Sequence, residues 1–197
     1  MVQTKTRFKS IEEYAALDPS ELPEGRYELV NGAIVEMGAE NDQNLEIAMR
    51  VVFALARFVS PELFRIGSEI AVSSESVTSR FPDLIVLTEA LRAVLPPGKR
   101  SLISQEMPAP KLVIEVVSPG EPGSDNYDRD YIKKRKEYAA RGIPEYWVID
   151  PDRGIVSVLG LKDGEYQVKE FRGSDRIQSS VFDQLGLTAE QILKAGE

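Results

Sequence analysis

Two acidic residues lie where the sequence predicts buried strands. Asp83 follows a proline in "RFPDLIVL", and Glu115 interrupts five apolar residues in "LVIEVVSP". A carboxylate that is buried alone suffers a large desolvation penalty, so it normally becomes protonated, pairs with a cation or binds a metal ion. Glu115 is therefore the residue whose type and setting most strongly indicate a functional site. Two plainer interpretations of Glu115 stay open, a place on an edge strand or a pairing with an arginine.

The chemistry open to these acids is narrowed by two residue types that the chain lacks. It contains no cysteine and no histidine. This excludes a disulfide framework, a thiolate nucleophile, a Ser-His-Asp triad and a zinc site built on either residue. Two carboxylates from neighbouring strands can instead hold a hard divalent cation, magnesium, manganese or calcium, with water and a substrate phosphate completing the coordination. Such a cation lowers the pKa of a bound water and offsets charge on a phosphate, which is hydrolytic chemistry.

The elements that must position these acids follow from apolar spacing, turn residues and capping residues. Hairpins are predicted at Asn31-Gly32 and at Asp163-Gly164. Helices are predicted after Ser10, over about 41–59, in "EALRAVLPPGKR", over about 128–142 and after Thr188, and strands at "FRIGSEIAVSS", "FPDLIVLT", "PKLVIEVVSP" and "EYWVIDP". The strand-helix-strand unit is a crossover, whereas the hairpins are antiparallel. The predicted class is therefore α/β with α+β character, a mixed β-sheet flanked by helices, with N- and C-terminal β-hairpins.

The charge balance restricts the expected partners. With 24 Lys and Arg against 32 Asp and Glu, the net charge is −8, which argues against binding nucleic acid through bulk charge but permits a local basic groove. Basic residues concentrate in "DRDYIKKRKEYAARG", a run that is usually a solvated helix face. No apolar run approaches the about 18 residues of a membrane span, and the first residues lack a secretory apolar region. We expect one cytoplasmic domain over 1–197, with 1–9 flexible and no membrane partner.

The order of these motifs resembles the PD-(D/E)XK nuclease superfamily and, more closely, its Uma2 family, also called DUF820. The matching stretches are "RYELVNGAIVEM", "FPDLIVL", "PKLVIEVVSP", "DRDYIKKRKEYAARGIPEYWVIDP" and the terminal hairpin, which together span most of the chain. The resemblance implies a restriction-endonuclease-like fold and an endonuclease that needs Mg²⁺ or Mn²⁺ and acts on DNA. It also implies that Asp83 and Glu115 bind the metal and take part in catalysis.

A catalytic lysine is implied by the same resemblance. The superfamily pattern has a lysine two residues after the glutamate, where this chain has Val117. In the Uma2-like pattern the following helix supplies the lysine, and the spacing before "GIPEYW" indicates Lys134. A lysine can reach the site from a neighbouring helix because its ammonium ends a long flexible stem. Asp130 stands four residues earlier, on the same helical face.

The resemblance further implies an assisting acid, with Glu46 as the catalytic candidate and Glu69 and Glu28 as alternatives. Many Uma2 relatives carry a histidine near the start of the second predicted helix, where this chain has Asn44. Asn44 and Val117 keep a second hypothesis open, a nuclease-fold protein that binds nucleic acid or a protein partner without cleavage. A third is a hydrolase of sugar or nucleotide phosphates, because a fold does not determine its substrate. The hairpins leave sheet edges that a second copy could cover, which permits a homodimer.

Overall fold

The computed structural model describes residues 7–22, 24–39, 41–73, 75–96, 100–117 and 120–194. The first six residues of the segment predicted as flexible thus lie outside the described residues. The helices and strands are, in chain order, α1 (Ile11–Ala16), β1 (Tyr27–Val30), β2 (Ala33–Glu36), α2 (Asp42–Leu55), β3 (Phe64–Arg65), β4 (Glu69–Ser73), β5 (Thr78–Arg80), β6 (Leu84–Val86), α3 (Glu89–Val94), β7 (Leu102–Ile103), β8 (Leu112–Val116), α4 (Asp125–Tyr127), a π-helix (Asp128–Lys133), α5 (Lys134–Ala140), β9 (Glu145–Asp150), β10 (Ile155–Lys162), β11 (Glu165–Phe171) and α6 (Ala189–Leu193).

The strands form two mixed sheets, whereas the sequence predicts one. The five-stranded sheet has the order β2-β1-β5-β4-β7, and its only parallel pair is β4-β7. The six-stranded sheet has the order β11-β10-β9-β8-β6-β3, and its only parallel pair is β8-β9. The predicted class is confirmed, since mixed sheets are flanked by helices and a hairpin lies near each end.

The segment "FRIGSEIAVSS", predicted as one strand, is divided between the two sheets. Strand β3 pairs with β6, whereas β4 pairs with β5 and β7. Gly67 lies between them with φ +73°, a conformation that other residues rarely adopt, so the chain can leave one sheet and enter the other there. The short strands β5 and β7, which the sequence analysis did not predict, flank β4 in the five-stranded sheet.

The predicted turns and caps are found at their predicted residues. Asn31 and Gly32 have φ of 51° and 76°, and Asp163 and Gly164 have φ of 51° and 83°. Positive φ at both central residues is what a two-residue hairpin with matching twist requires. The Ser10 side chain caps α1, and Thr188 caps α6 together with a Gln191 side chain. Helix α2 ends at Leu55, before the predicted end near residue 59.

Helices cover both faces of the six-stranded sheet, and they determine what the side chains of β8 contact on each face. Helices α2 and α6 cover one face of the six-stranded sheet, and α3 and α5 cover the other. Helix α1 packs on the five-stranded sheet. Because side chains alternate along a strand, Val113 and Val117 of the β8 segment face α5. Glu115 lies between them on that same face. No described helix is long and apolar enough to cross a membrane.

Candidate active site

The two predicted metal ligands face each other across β6 and β8. Leu84 pairs with Ile114 in the antiparallel ladder, so Asp83, one residue before β6, stands opposite Glu115. Opposite residues of an antiparallel pair point to the same face, with Cβ atoms about 5 Å apart. Asp83 Oδ2 accepts a hydrogen bond of 2.7 Å from the N–H of Val116. This bond holds the Asp83 carboxylate at the end of β8, beside Glu115.

Glu115 is buried, and both of its oxygens accept hydrogen bonds from the helix that covers β8. Lys134 Nζ donates to Oε2 at 2.8 Å, and the Tyr138 hydroxyl donates to Oε1 at 2.8 Å. Strand β8 lies between β6 and β9 in the sheet, which excludes the edge-strand interpretation of Glu115. The second plain interpretation, a pairing of Glu115 with an arginine, does not hold either, because the cation that contacts Glu115 is Lys134. Glu115 therefore occupies the buried, cation-paired setting that its apolar neighbours indicated.

Lys134 is surrounded by three carboxylates. Besides the contact with Glu115, its Nζ lies 3.3 Å from Glu28 Oε1 and 3.3 Å from Asp130 Oδ1. The Lys134 side chain is only 1% exposed. Val117, at the usual lysine position of the superfamily pattern, is buried in the apolar core beside α5. Lys134 thus contacts the acids from the neighbouring helix and is their shared counterion.

The helix that carries Lys134 changes its hydrogen-bonding pattern along its length. We call residues 125–140, which comprise α4, the π-helix and α5, the composite helix. The N–H of Lys134 donates to the carbonyl of Arg129, five residues earlier instead of four. A π-helical turn accommodates one extra residue and often occurs at functional sites. In the composite helix Asp130, Lys134 and Tyr138 are all buried and point toward Glu115 or its neighbours.

Arg80 connects the five-stranded sheet to the composite helix. Its Nη1 lies 2.6 Å from Glu28 Oε2, and its Nε and Nη2 donate to the two oxygens of Glu137 at 2.7 Å each. Arg80 is a site residue that was not predicted from the sequence, where its place three residues before Asp83 is the only signal. We call Glu28, Arg80, Asp83, Glu115, Asp130, Lys134 and Tyr138 the acid cluster.

Burial and like charge act against ionisation of the two facing carboxylates. Burial raises the pKa of Glu115, and the carboxylates of Asp83, Asp130 and Glu28 add to this shift while the Lys134 ammonium opposes it. Burial also raises the pKa of Asp83, and its backbone hydrogen bond and nearby cations oppose the shift only in part. These two acids therefore hold protons more readily than exposed carboxylates do.

Glu28 and Lys134, which also belong to the acid cluster, are held in their charged forms. Burial by itself would raise the pKa of Glu28, but Lys134 and Arg80 outweigh it, and the pKa of Glu28 is lowered. Burial by itself would lower the pKa of Lys134, but Glu115, Glu28 and Asp130 outweigh it, and the pKa of Lys134 is raised. A buried ammonium is thus stable here because three acids surround it.

Two guanidinium groups lie at the more exposed side of the acid cluster. Arg26 Nη2 lies 3.3 Å from Asp83 Oδ1. Arg129 donates from Nε and Nη2 to the two oxygens of Asp130 at 2.8 and 2.9 Å. The side chains of Arg26 and Arg129 are each 26% exposed, and that of Asp83 is 12% exposed. A ligand that approaches from solvent would therefore meet these three residues before the buried Lys134.

Glu46, the predicted assisting acid, does not reach the acid cluster. It lies exposed on α2, two residues after Asn44. The Asn44 side chain is buried and donates to the carbonyl of Val116 at 3.2 Å. The structure therefore brings Asn44, and not Glu46, to the strand that carries Glu115.

Glu69, the first alternative to Glu46, lies in a separate buried network. It accepts hydrogen bonds from the Tyr14 hydroxyl at 2.8 Å, from Ser79 Oγ at 2.9 Å and from Arg100 Nε at 2.9 Å. These donors satisfy the carboxylate and join α1 to the five-stranded sheet. Of the three acids considered, Glu28 is the one that the structure places beside Lys134.

The donor chemistry of Asp83 and Glu115 fits a hard divalent cation. Carboxylate oxygens are the ligands that Mg²⁺ and Mn²⁺ favour. Each oxygen of the pair already accepts one donor, but a carboxylate oxygen has a second lone pair that can still bind a ligand. In the described parts of the chain, no three acidic side chains form a group that could hold a metal ion. A cation here would therefore rely on two protein carboxylates and on water or substrate oxygens.

Comparisons with known proteins identify the family and the fold of this chain. A family model with the description "Uma2: Putative restriction endonuclease" matches residues 11–190. A crystal structure described as that of "a putative nuclease belonging to DUF820", from Anabaena variabilis ATCC 29413, superposes with a TM-score of 0.70. The two chains are 17% identical, and the match covers 93% of this chain and 97% of the other. No curated protein matches the chain. At this identity, the structural match establishes the fold.

Proposed function

Because the chain belongs to the Uma2 family, whose description is "Putative restriction endonuclease", we propose that it is a metal-dependent nuclease that cleaves DNA at the acid cluster. One observation carries the proposal. Asp83 and Glu115 face each other across two paired strands, and a lysine is buried against Glu115. An apolar sheet has no structural need for two facing carboxylates, so their cost in desolvation is best explained by chemistry.

The two facing carboxylates are the proposed metal ligands. Asp83 and Glu115 would hold Mg²⁺ or Mn²⁺, which when bound supplies a water of lowered pKa and compensates charge on the phosphate. The backbone N–H of Val116 keeps one oxygen of Asp83 at the end of β8. The Tyr138 hydroxyl and Lys134 Nζ keep the Glu115 carboxylate turned toward the same side of the sheet.

Lys134 acts in this proposal as a positioning residue. Its ammonium is buried and lies within 3.3 Å of Glu28, Glu115 and Asp130. It therefore holds the acids together and favours the ionised forms of Glu28 and Glu115, but it does not stand where a phosphate would arrive from solvent. This differs from the role implied by the family resemblance, in which the lysine contacts water or the scissile phosphate.

Arg26 and Arg129 are the proposed phosphate contacts. They are the more exposed cations beside the acid cluster, and each already pairs with one acid at its edge. A guanidinium can bind a phosphate oxygen while it keeps a carboxylate partner, because it carries five N–H donors. A local pair of this kind is compatible with the net charge of −8, since the charge balance constrains only bulk binding.

A cleavage assay tests the proposal. Wild-type protein, Asp83→Asn and Glu115→Gln are incubated with supercoiled plasmid and with single-stranded oligonucleotide, in Mn²⁺, in Mg²⁺ and in chelator. Glu165→Gln is the matched control, because Glu165 is an exposed carboxylate in the distant terminal hairpin. We expect metal-dependent cleavage by wild type and control, and a loss of at least about 100-fold in the two cluster variants. Equal cleavage by all four proteins would reveal a contaminant and remove the proposal.

A second function, nucleic-acid binding without cleavage, is favoured by the bonding of the two acids. Both oxygens of Asp83 and of Glu115 already accept hydrogen bonds or ion pairs from the protein. Wild-type protein should then bind a labelled DNA duplex in chelator, and it should not cleave the duplex in either Mg²⁺ or Mn²⁺. Binding weakened by Arg26→Gln and by Arg129→Gln, with no cleavage under any condition, would support this second function over the first.

A further inference from the structure

Helix α2 presents an apolar stripe to solvent. Leu45, Met49 and Phe53 are 48%, 43% and 71% exposed. They are four residues apart, and each step of four advances about 40° around a helix, so they form one continuous stripe. The stripe extends about 12 Å along the helix axis. Exposed aromatic and aliphatic residues that cluster in this way mark interaction surfaces more often than single exposed residues do.

The stripe does not belong to the core that α2 makes with the sheet. The buried residues of α2 are Asn44, Ile47, Ala48, Val51 and Leu55. On a helix of 3.6 residues per turn these positions lie on the side opposite Leu45, Met49 and Phe53. Helix α2 is thus apolar on two faces, and only one of them is covered within the described part of this chain. A helix with two apolar faces is typical of one that packs on both sides.

The charges beside the stripe identify its partner. Asp42 and Glu46 lie beside its N-terminal half and Arg50 beside its C-terminal half, on one side of the helix, and the exposed Arg57 follows in the turn just after the helix ends. A second copy of α2 that packs in the opposite direction would place the acidic half of each helix beside the basic half of the other. A parallel copy would place like charges together. The helix dipoles also favour the antiparallel arrangement.

We infer that two copies of this protein associate through α2, with a two-fold axis near Met49. In this arrangement Met49 meets Met49 of the second copy, and Leu45 meets Phe53. Asp42 then lies beside Arg57 of the second copy, and Glu46 beside Arg50. One patch is complementary to itself, as a two-fold interface requires. Glu46, which the family resemblance nominated as a catalytic acid, has a role in assembly.

The interface predicts a dimer of moderate affinity. A stripe of three side chains per copy is shorter than the contact surface of a standard stable complex. We therefore expect a Kd of about micromolar order and not nanomolar. The arrangement also differs from a dimer formed by pairing sheet edges, which would use β2, β7, β3 or β11.

Sedimentation velocity over about 1–100 µM protein tests the inference. Wild type should shift from monomer to dimer across this range, whereas Phe53→Asp should stay monomeric. Val94→Asp is the matched control, because Val94 is a half-exposed apolar residue on α3, away from α2. Val94→Asp should dimerise as wild type does. Emission of Trp147, the single tryptophan, verifies that each variant is folded.

A charge-reversal pair tests the direction of the two helices. Arg57→Glu should raise the Kd at least about tenfold, because it places two acids side by side in each of two symmetric pairs. The double variant Asp42→Arg/Arg57→Glu should recover the wild-type Kd. Both residues are exposed, so their exchange leaves the core unchanged.

A cysteine variant tests the position of the axis. The chain contains no cysteine, so Met49→Cys introduces one thiol per copy. Across the two-fold axis this thiol faces the equivalent thiol of the second copy. A short bismaleimide should link Met49→Cys into covalent dimers, and it should leave Val94→Cys monomeric. A wild type that is monomeric throughout, a dimer that survives Phe53→Asp, or a double variant that fails to recover would each overturn the inference.

Discussion

Replacing Lys134 with methionine removes the charge that three buried acids share and keeps a side chain of similar length. At an effective dielectric constant of about 20, a contact at 2.8 Å contributes about 6 kcal/mol and each contact at 3.3 Å about 5 kcal/mol, a gross attraction of about 16 kcal/mol. Most of this is offset by the cost of burying the ammonium. Removing one partner of a buried ion pair typically costs about 3–5 kcal/mol, and we expect Lys134→Met to lose that much near pH 8.

The loss should shrink as the pH falls. Without the ammonium, the pKa of Glu115 rises further, so the folded variant binds more protons than its unfolded chain, in which the carboxyl has its ordinary pKa. A carboxyl whose pKa is raised on folding destabilises the folded state above its unfolded pKa and ceases to do so once it is protonated. Because the pKa of Glu115 in wild type is already raised to about 8, the two proteins differ in Glu115 protonation above about pH 8, and the variant gains stability relative to wild type as the pH falls toward 8.

Guanidinium chloride unfolding, followed by the fluorescence of the buried Trp147, measures both effects. Lys136→Met is the matched control, because Lys136 is exposed on the same helix and should change the free energy of unfolding by less than about 0.5 kcal/mol. A loss below about 1 kcal/mol at pH 8 for Lys134→Met, or a loss that is independent of pH, would refute the assignment of Lys134 as the shared counterion.

Two further outcomes follow from the same structure. Tyr14→Phe removes one of the donors to Glu69 and should cost about 1–2 kcal/mol in chemical denaturation without lowering DNA cleavage, and a greater effect on cleavage than on stability would place Glu69 in the active site. Because the pKa values of Asp83 and Glu115 are raised, Mn²⁺ must displace protons to bind, so its affinity should increase with pH and calorimetry should detect released protons. An affinity independent of pH would contradict the proposed ligands.

Much of the acid cluster follows from rules that act over a few residues. Alternation along β8 places Glu115 on a buried face, and a turn residue before β6 places Asp83 at a strand entrance. Helical spacing puts Asp130 and Lys134 on one face of the composite helix. These patterns are local, so the sequence alone suffices to predict them. The family resemblance was needed to select Lys134 from several basic residues of the same helix.

The remaining features depend on contacts between distant parts of the chain. Strands of two or three residues, such as β5 and β7, have too few positions to show a pattern, and their sheet is decided by which neighbours they meet. Arg80 ends β5 and bonds two acids that are far away in the sequence. Glu46 is near the start of its helix, as expected, but its face is turned away from β8 by the packing of Asn44. None of this is encoded in local spacing.

The π-helical segment makes the length of the composite helix as important as its residues. If one residue between 128 and 133 were deleted, the segment could continue as an ordinary α-helix, and the residues on either side would keep their orientation because the π-turn is what accommodates the extra residue. Lys134 could then keep its contact with Glu115, whereas the buried Asp130 inside the segment would be displaced. Elsewhere in the composite helix a deletion would turn one part by about 100° relative to the other. Among related chains, a single-residue gap should therefore be more frequent here than in the rest of the composite helix.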